Sequence, residues 1–437
     1  MNTESKATGP ATTSVGRLIQ SAVYRDGVYG HRRSVPVLPS ALETAASRTA
    51  SRDAWEYVHG SAGSESTAEA NRAAFDRWQI VPRMLRDVER RDLRTELWGQ
   101  TLPNPLLIAP VGVLEMVHPE GDLAVARAAR ALGVPMTVST QASHPMERIA
   151  ATLDGAPWFY QLYWSRDDEV VASMVSRAER AGASALVVTL DTHVLGWRTR
   201  DLDRAFLPFA QGMGIAQYTS DPAFRQLVNR KVAGKGSSRQ EQPRPTLAAV
   251  RSLLSIARRH PGGTLANLRS PYPRAAVETF LEVFSRSTLT WEDLAWLRER
   301  TQLPIVVKGV QHLDDAARAL DQGVDGIWVS NHGGRQVDGA LGSLRALPGV
   351  VGRVSGAVPV VFDSGVRGGA DVFKALALGA TAVGVGRPYV YGLTLAGEQG
   401  VREVLEHLAA ELDITMALAG ARQPSEVTEE LLHPEEP

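Results

Sequence analysis

Cysteine is absent from all 437 residues, so the chain can form no disulfide, offers no thiolate nucleophile and builds no thiolate metal site. Long apolar runs are absent too. None reaches the roughly 18 residues that a membrane helix needs, and the N-terminus lacks an apolar core of signal-peptide length. A reducing, cytoplasmic setting with no membrane partner is expected. Charge of one sign is also missing: the formal net charge is −1 and no basic stripe stands out, which excludes the electrostatic footprint of a nucleic-acid binder. His118, His144, His193 and His332 show no ligand spacing with carboxylates, which disfavours a metal enzyme. What remains is an ordinary globular composition, 44% hydrophobic and 22% charged, long enough for one large domain or two moderate ones.

Residues 1–33 are rich in Ser, Thr, Ala and Gly with little periodicity, and a flexible segment is expected over 1–37. Helical spacing follows over 38–60, ending at Gly60, with Tyr57 where helix meets loop. Residues 75–98 read as short strands and turns that close the bottom of a barrel, completing an N-terminal cap over 38–105. An alternation then sets in. Strands are predicted over 106–113, 135–140, 158–164 and 185–192, then 304–310, 326–330, 359–364 and 382–386, with helices over 120–132, 146–153, 167–181, 313–322, 370–378 and 400–412. About eight strands alternating with helices is the count of a TIM (β/α)8 barrel, here 106–426, followed by a charged tail over 427–437. Between strands four and five, residues 193–287 form an insertion far longer than a usual barrel loop, either a lid, an oligomer contact or a surface excursion.

In such barrels the C-terminal strand ends carry the chemistry. Those ends read Ala109-Pro110-Val111-Gly112, Ser139, Gln161 with Tyr163, Thr189 with Asp191, Lys308, His332 with Arg335, Asp363, and Gly386 with Arg387. The stretch 326–338 is the most telling, a short apolar strand stopping in a turn that presents His332 as a base and Arg335 as a guanidinium able to fork onto a carboxylate. A buried Lys308 is costly unless it meets an anion. The turns Asp363-Ser364-Gly365-Val366-Arg367 and Gly384-Val385-Gly386-Arg387 follow strands seven and eight, where barrels bind phosphate. Ser139, Gln161 and Thr189 suit the amide-like edge of a planar ring, and Lys308 suits negative charge developing on it. Pyridoxal phosphate would want that lysine as a Schiff base and a sugar phosphate would want more acids, whereas flavin mononucleotide satisfies every position.

These motifs, with Ser330-Asn331-His332-Gly333-Gly334-Arg335-Gln336 the most specific, are similar to those of the FMN-dependent α-hydroxy-acid oxidase and dehydrogenase family over about 52–426. The resemblance implies that His332 takes a proton in substrate oxidation with Asp191 supporting it, and that Arg335, Arg198 and Tyr57 hold the substrate carboxylate. It further implies Tyr163 at the reacting hydroxyl and Lys308 by the flavin, with Ser330 in the cofactor set. The substrates implied are a 2-hydroxy acid and O2, in a homotetramer or larger. Within the family the chain looks like the lactate 2-monooxygenase branch, through 82–85, 96–99, 195–202, 290–293, the long fourth loop and Gly112, which stands where typical oxidases carry alanine. Oxidative decarboxylation of a lactate-like acid is the outcome this implies, with an oxidase giving keto acid and H2O2, or a dehydrogenase using another acceptor, as the alternatives. Leu114 to Val117 depart from that branch, and Gln141 stands where glycolate oxidase has a tryptophan.

Overall fold

The computed structural model describes residues 14–234 and 246–435. Eight parallel strands close into a barrel: β1 (Leu106–Ile108), β2 (Met136–Val138), β3 (Trp158–Leu162), β4 (Ala185–Thr189), β5 (Ile305–Val310), β6 (Gly326–Val329), β7 (Val360–Phe362) and β8 (Ala382–Val385). Each pairs with the next, and β8 returns to β1 through Val383 opposite Leu106. Near-continuous apolar runs make such strands because both faces are covered. One set of side chains, including Leu107, Phe159, Val187, Val306, Trp328 and Val361, packs into a small interior core; the other set joins the larger core under the helices. The barrel is therefore filled rather than open, and chemistry is confined to its rim.

The strands are shorter than predicted, because residues such as Val111, Val113 and Ser139 leave the ladder and line the mouth or pack beneath it. Helices Gly121–Leu132, Met146–Leu153 and Asp168–Arg180 follow β1 to β3, and Leu313–Asp321, Ser343–Val354, Gly369–Ala377 and Arg387–Ala419 follow β5 to β8. The helix after β6 was not anticipated. The insertion after β4 is itself mostly helical, with Pro222–Gly234, Leu247–Arg259 and Tyr272–Val283 its longest pieces. Most of its polar tract, 235–245, lies outside the described residues.

Both ends of the described chain are tied down, the N-terminal one against the expectation of a flexible segment. Val15–Val28 is a helix capped by the Ser14 side chain, and it docks where the Gly16 N–H donates to Asp413 Oδ2 at 2.8 Å. Arg91 holds the other oxygen of that buried carboxylate at 2.7 Å. The tail is not free either, since Leu432–Pro434 pairs antiparallel with Trp78–Ile80. Residues 1–13 of the segment expected to be flexible lie outside the described residues.

At the bottom of the barrel, strands Thr95–Leu97 and Gln100–Leu102 form a hairpin whose turn places Trp98 at φ 46° and Gly99 at φ 75°, the pattern of a type I′ turn. Trp98 accepts this left-handed backbone because its ring then stands edge-on to Phe159, at 5.0 Å between centroids, while its Nε1–H donates to the Asp325 carbonyl at 3.0 Å. Trp98→Ala is expected to cost about 3 kcal/mol. The loss should appear as a lower denaturation midpoint with the spectroscopic properties of the rim unchanged.

Candidate active site

The C-terminal strand ends open onto a cleft with about 1100 Å³ of empty space. Pro110, Val111, Gly112, Ser139, Tyr163, Lys308, His332, Asp363, Ser364, Gly365, Arg367, Gly386 and Arg387 line it, together with Tyr57, Arg198 and Arg335. Gln161, Thr189, Asp191 and Ser330 stand behind that lining and brace it.

His332 follows β6 in a turn that puts it at φ 58°, an uncommon conformation for a side-chain-bearing residue. Three hydrogen bonds clamp the turn. The His332 N–H donates to Ser330 Oγ at 3.1 Å, the Gly333 N–H to Ser364 Oγ at 3.0 Å, and the Gly334 N–H to Asn331 Oδ1 at 3.2 Å. The ring then lies with Nδ1 2.8 Å from Asp191 Oδ1 and Nε2 3.3 Å from the Tyr163 hydroxyl. Asp191 comes close because Gly309 on β5 has no side chain: a Cβ there, at φ 104°, would meet the Asp191 Cβ at 2.8 Å.

Burial works to raise the Asp191 carboxyl, yet His332, Lys308 and Thr192 together hold it down at about 2. Burial, the largest influence on His332, sets that ring below its ordinary 6.5 against the raising effect of Asp191, and Lys308 and Arg198 add smaller pushes in the same direction as burial. An ionised carboxylate only accepts hydrogen bonds, so the proton of a neutral His332 resides on Nδ1. Nε2 therefore keeps its lone pair, beside Tyr163, where a proton can be received.

Lys308 on β5 is buried and finds its anion in the protein itself, with Nζ 3.2 Å from Asp363 Oδ2 and 2.8 Å from Ser330 Oγ. Burial alone would lower it, but Asp363 and Asp191 keep it above its ordinary value, so it is a fixed cation at the floor of the cleft. Beside it runs a polar ladder across neighbouring strands. Gln161 Nε2 donates to Thr189 Oγ1 and Ser139 Oγ donates to Gln161 Oε1, both at 3.0 Å. Ser139 faces the cleft, and Gln161 and Thr189 set its orientation.

Three guanidiniums meet at the far wall. Arg335 Nη1 donates to the carbonyls of Tyr57 and Gly60, and its guanidinium lies 5.0 Å from the Tyr57 ring centroid. The expected fork is therefore turned, because Nη1 is spent on backbone and the Nε and Nη2 side remains for a ligand. Arg198 Nη2 donates to Gln336 Oε1 at 3.2 Å. Arg387 donates to the carbonyls of Val58, Gly333 and Gly60. Among the described residues none of the three has a carboxylate within ion-pair distance. Burial, the largest influence, then the neighbouring Arg198 and Arg387, bring Arg335 down to about 9 against the raising effect of Tyr57 and Asp201. Such a cluster is a receptor for anions.

Leu195, Phe209 and Phe284 also line the cleft and were not singled out from sequence. All three come from the insertion, and their placement depends on how its helices fold back over the barrel.

The family model described as FMN-dependent dehydrogenase matches residues 46–434. The chain is 41% identical over 404 residues to an FMN-dependent alpha-hydroxy acid dehydrogenase of Penicillium citrinum, covering 92% of each. It is 40% identical over 385 residues to an L-lactate oxidase of Lysinibacillus sphaericus (strain C3-41), covering 88% of this chain and 89% of that one. A crystal structure of mandelate oxidase with (S)-4-hydroxymandelic acid superposes with a TM-score of 0.74 at 36% identity, over 92% of this chain and 99% of that one.

Proposed function

The chain belongs to the family of FMN-dependent α-hydroxy-acid dehydrogenases and oxidases, and from that premise we propose that it oxidises an L-2-hydroxy acid at the hydroxyl-bearing carbon, with O2 as electron acceptor. The observation that carries the reading is the Asp191–His332–Tyr163 line ending beside a cluster of guanidiniums that, among the described residues, have no carboxylate within ion-pair distance.

FMN fits the cleft on this chain's own features. Arg367 and Arg387 with the turns at Gly365 and Gly386 supply an anion site after β7 and β8, where Ser364 also stands. Pro110, Val111 and Gly112 offer a flat backbone wall, while Ser139, backed by Gln161 and Thr189, and Lys308, fixed by Ser330 and Asp363, present hydrogen-bonding and positive groups to a ring edge. When bound, FMN supplies the electron sink.

The protein's part is binding, orientation and one proton. Arg335, through its Nε and Nη2 side, and Arg198 hold the substrate carboxylate with Tyr57 beside them, which aims the adjacent carbon at His332. His332 Nε2 receives the proton, Asp191 stabilises the imidazolium that forms, and Tyr163 contacts the reacting oxygen. R–CH(OH)–COO⁻ and O2 then give R–CO–COO⁻ and H2O2.

We favour this oxidase outcome over oxidative decarboxylation to a carboxylic acid, carbon dioxide and water. Gly112, one of the features that resemble the monooxygenase branch, has another use: a Cβ there would meet the Gln141 Cβ at 2.6 Å, so the missing methyl makes room for a neighbouring side chain.

The test is anaerobic mixing of the yellow protein with a panel of L-2-hydroxy acids, then admission of air and product analysis. Bleaching followed by keto acid and peroxide supports the oxidase. Decarboxylated acid makes it a monooxygenase, and bleaching without reoxidation by air makes it a dehydrogenase with another acceptor. Because His332 must be neutral and lies below 6.5, the rate of bleaching should be flat at neutral pH and fall as pH drops through that lowered value. In Asp191→Asn the acid limb should move lower still, since the group that raises His332 is gone, while the plateau rate drops. An acid limb above 6.5 in the wild type would contradict the assignment.

A further inference from the structure

The two guanidiniums assigned to the substrate carboxylate both lean on one short loop, residues 60–66. The Gly60 carbonyl accepts from Arg335 Nη1 at 2.7 Å, and the Ala62 N–H donates to the carbonyl of Gly334, the residue before Arg335, at 2.9 Å. Ala62 also forms an antiparallel bridge with Arg198. On either side of that arginine, the Trp197 carbonyl accepts from the Gly63 N–H at 2.9 Å and the Thr199 hydroxyl donates to the Gly63 carbonyl at 2.8 Å. The spacing of Arg335 and Arg198 therefore follows the shape of this loop.

The loop does not hold that shape by local preference. Gly63 at φ 54° and Glu65 at φ 67° are both left-handed, and for Glu65, which carries a side chain, that conformation is uncommon. Asp338, three residues beyond Arg335, supplies the constraint. Its Oδ2 accepts from the Ser64 N–H at 2.6 Å and the Ser64 hydroxyl at 2.7 Å, and its Oδ1 from the Ser66 N–H at 2.9 Å and the Ser66 hydroxyl at 2.7 Å. Gly63 makes room for this clasp, since a Cβ there would collide with the Asp338 carboxylate. The Ser64 and Ser66 hydrogen bonds hold the carboxyl below the usual carboxylate range, so it stays ionised around neutral pH. Asp338 itself stands outside the cleft lining.

We propose that Asp338 is a positioning residue for the substrate carboxylate: by clasping Ser64 and Ser66 it fixes the loop that keeps Arg335 and Arg198 in register. When the clasp opens, the two guanidiniums no longer meet one carboxylate together, and binding is what suffers. Arg387 depends on the loop less. It also donates to the carbonyls of Val58 and Gly333, which lie outside 60–66, so the cation at the cofactor's phosphate end keeps its place. This inference rests on the oxidation reading above for what the two arginines hold, and adds how their spacing is set.

The experiment compares Asp338→Ala, Asp338→Asn, the double variant Ser64→Ala with Ser66→Ala, and the triple variant that joins this pair to Asp338→Ala. The readouts are the concentration of an accepted L-2-hydroxy acid that gives half the maximal rate of anaerobic bleaching and, independent of turnover, the calorimetric affinity of oxalate, a carboxylate with no C–H bond to oxidise. In Asp338→Ala the half-saturating concentration should rise, and oxalate affinity fall, by about tenfold each, with FMN content and denaturation midpoint close to wild type. The serine pair should lose affinity in the same direction, and it carries the test where Asp338→Ala does not fold. The triple variant should lose no more than Asp338→Ala, because its changes break one shared contact. Asp338→Asn, whose amide oxygen still accepts, should recover part of the loss. Unchanged oxalate affinity in Asp338→Ala and the serine pair, additive losses in the triple variant, or losses that only accompany a fall in midpoint and flavin content overturn the inference and leave the oxidation reading intact. Failure of every 2-hydroxy acid to bleach the protein overturns the oxidation reading, and oxalate calorimetry then still decides whether the clasp sets the anion site.

Discussion

His332→Gln should leave a yellow, FMN-bearing protein whose bleaching by substrate is slowed by a factor of about 10² to 10⁴, the range a positioned general base contributes. Glutamine can keep a polar group near Asp191 but cannot hold a proton at the position of Nε2. The backbone turn should survive, because its clamp comes from Ser330, Ser364 and Asn331 rather than from the imidazole. Rapid-mixing absorbance under nitrogen separates the two effects, since FMN content is read before mixing and the rate after it. Ordinary bleaching in this variant would remove the base assignment.

Lys308→Met should be the most damaging change to the protein's integrity. It leaves Asp363 buried with its cationic partner gone and Ser330 with one donor fewer. Breaking a buried ion pair from one side costs about 3–5 kcal/mol, because a charge stays behind in a medium that does not solvate it. A fall in denaturation midpoint and loss of flavin on gel filtration are expected together. Lys308→Met combined with Asp363→Asn should recover much of the stability and little of the flavin binding. A single variant with wild-type midpoint and full flavin content would show that Lys308 is neither a structural nor a cofactor-facing cation.

Much of this architecture is legible in the sequence because a parallel barrel writes itself in a simple code. Runs such as Ile305-Val306-Val307 can only be strands covered on both faces, and the polar residue that ends each run falls on the rim. Asp191, Lys308 and His332 are found by that rule alone. What the code omits is anything fixed by partners distant in sequence. The helix Val15–Val28 has mostly exposed side chains and weak amphipathic patterning, and its docking depends on a hydrogen bond to Asp413. The helix Ser343–Val354 is masked by Pro348, Gly349 and Gly352 within it. The tail strand exists only because Trp78–Ile80 offers it an edge.

The site shows the same division. Residue types announce that a base, a guanidinium and a lysine share one mouth. That Arg335 spends Nη1 on the Tyr57 and Gly60 carbonyls, or that Phe209 and Phe284 descend from the insertion onto the same wall, follows from folds of the chain that no local pattern encodes.

The central claim is that Cα–H cleavage in a 2-hydroxy acid is served by His332 and delivers electrons to FMN. Its most direct test is anaerobic rapid mixing of the yellow protein with separate L and D enantiomers of a 2-hydroxy acid it accepts, in ordinary form and with deuterium at the hydroxyl-bearing carbon. The account predicts that only the L form bleaches the flavin and that deuterium slows the bleaching in the wild type. Bleaching by both enantiomers alike, or by neither, would contradict it.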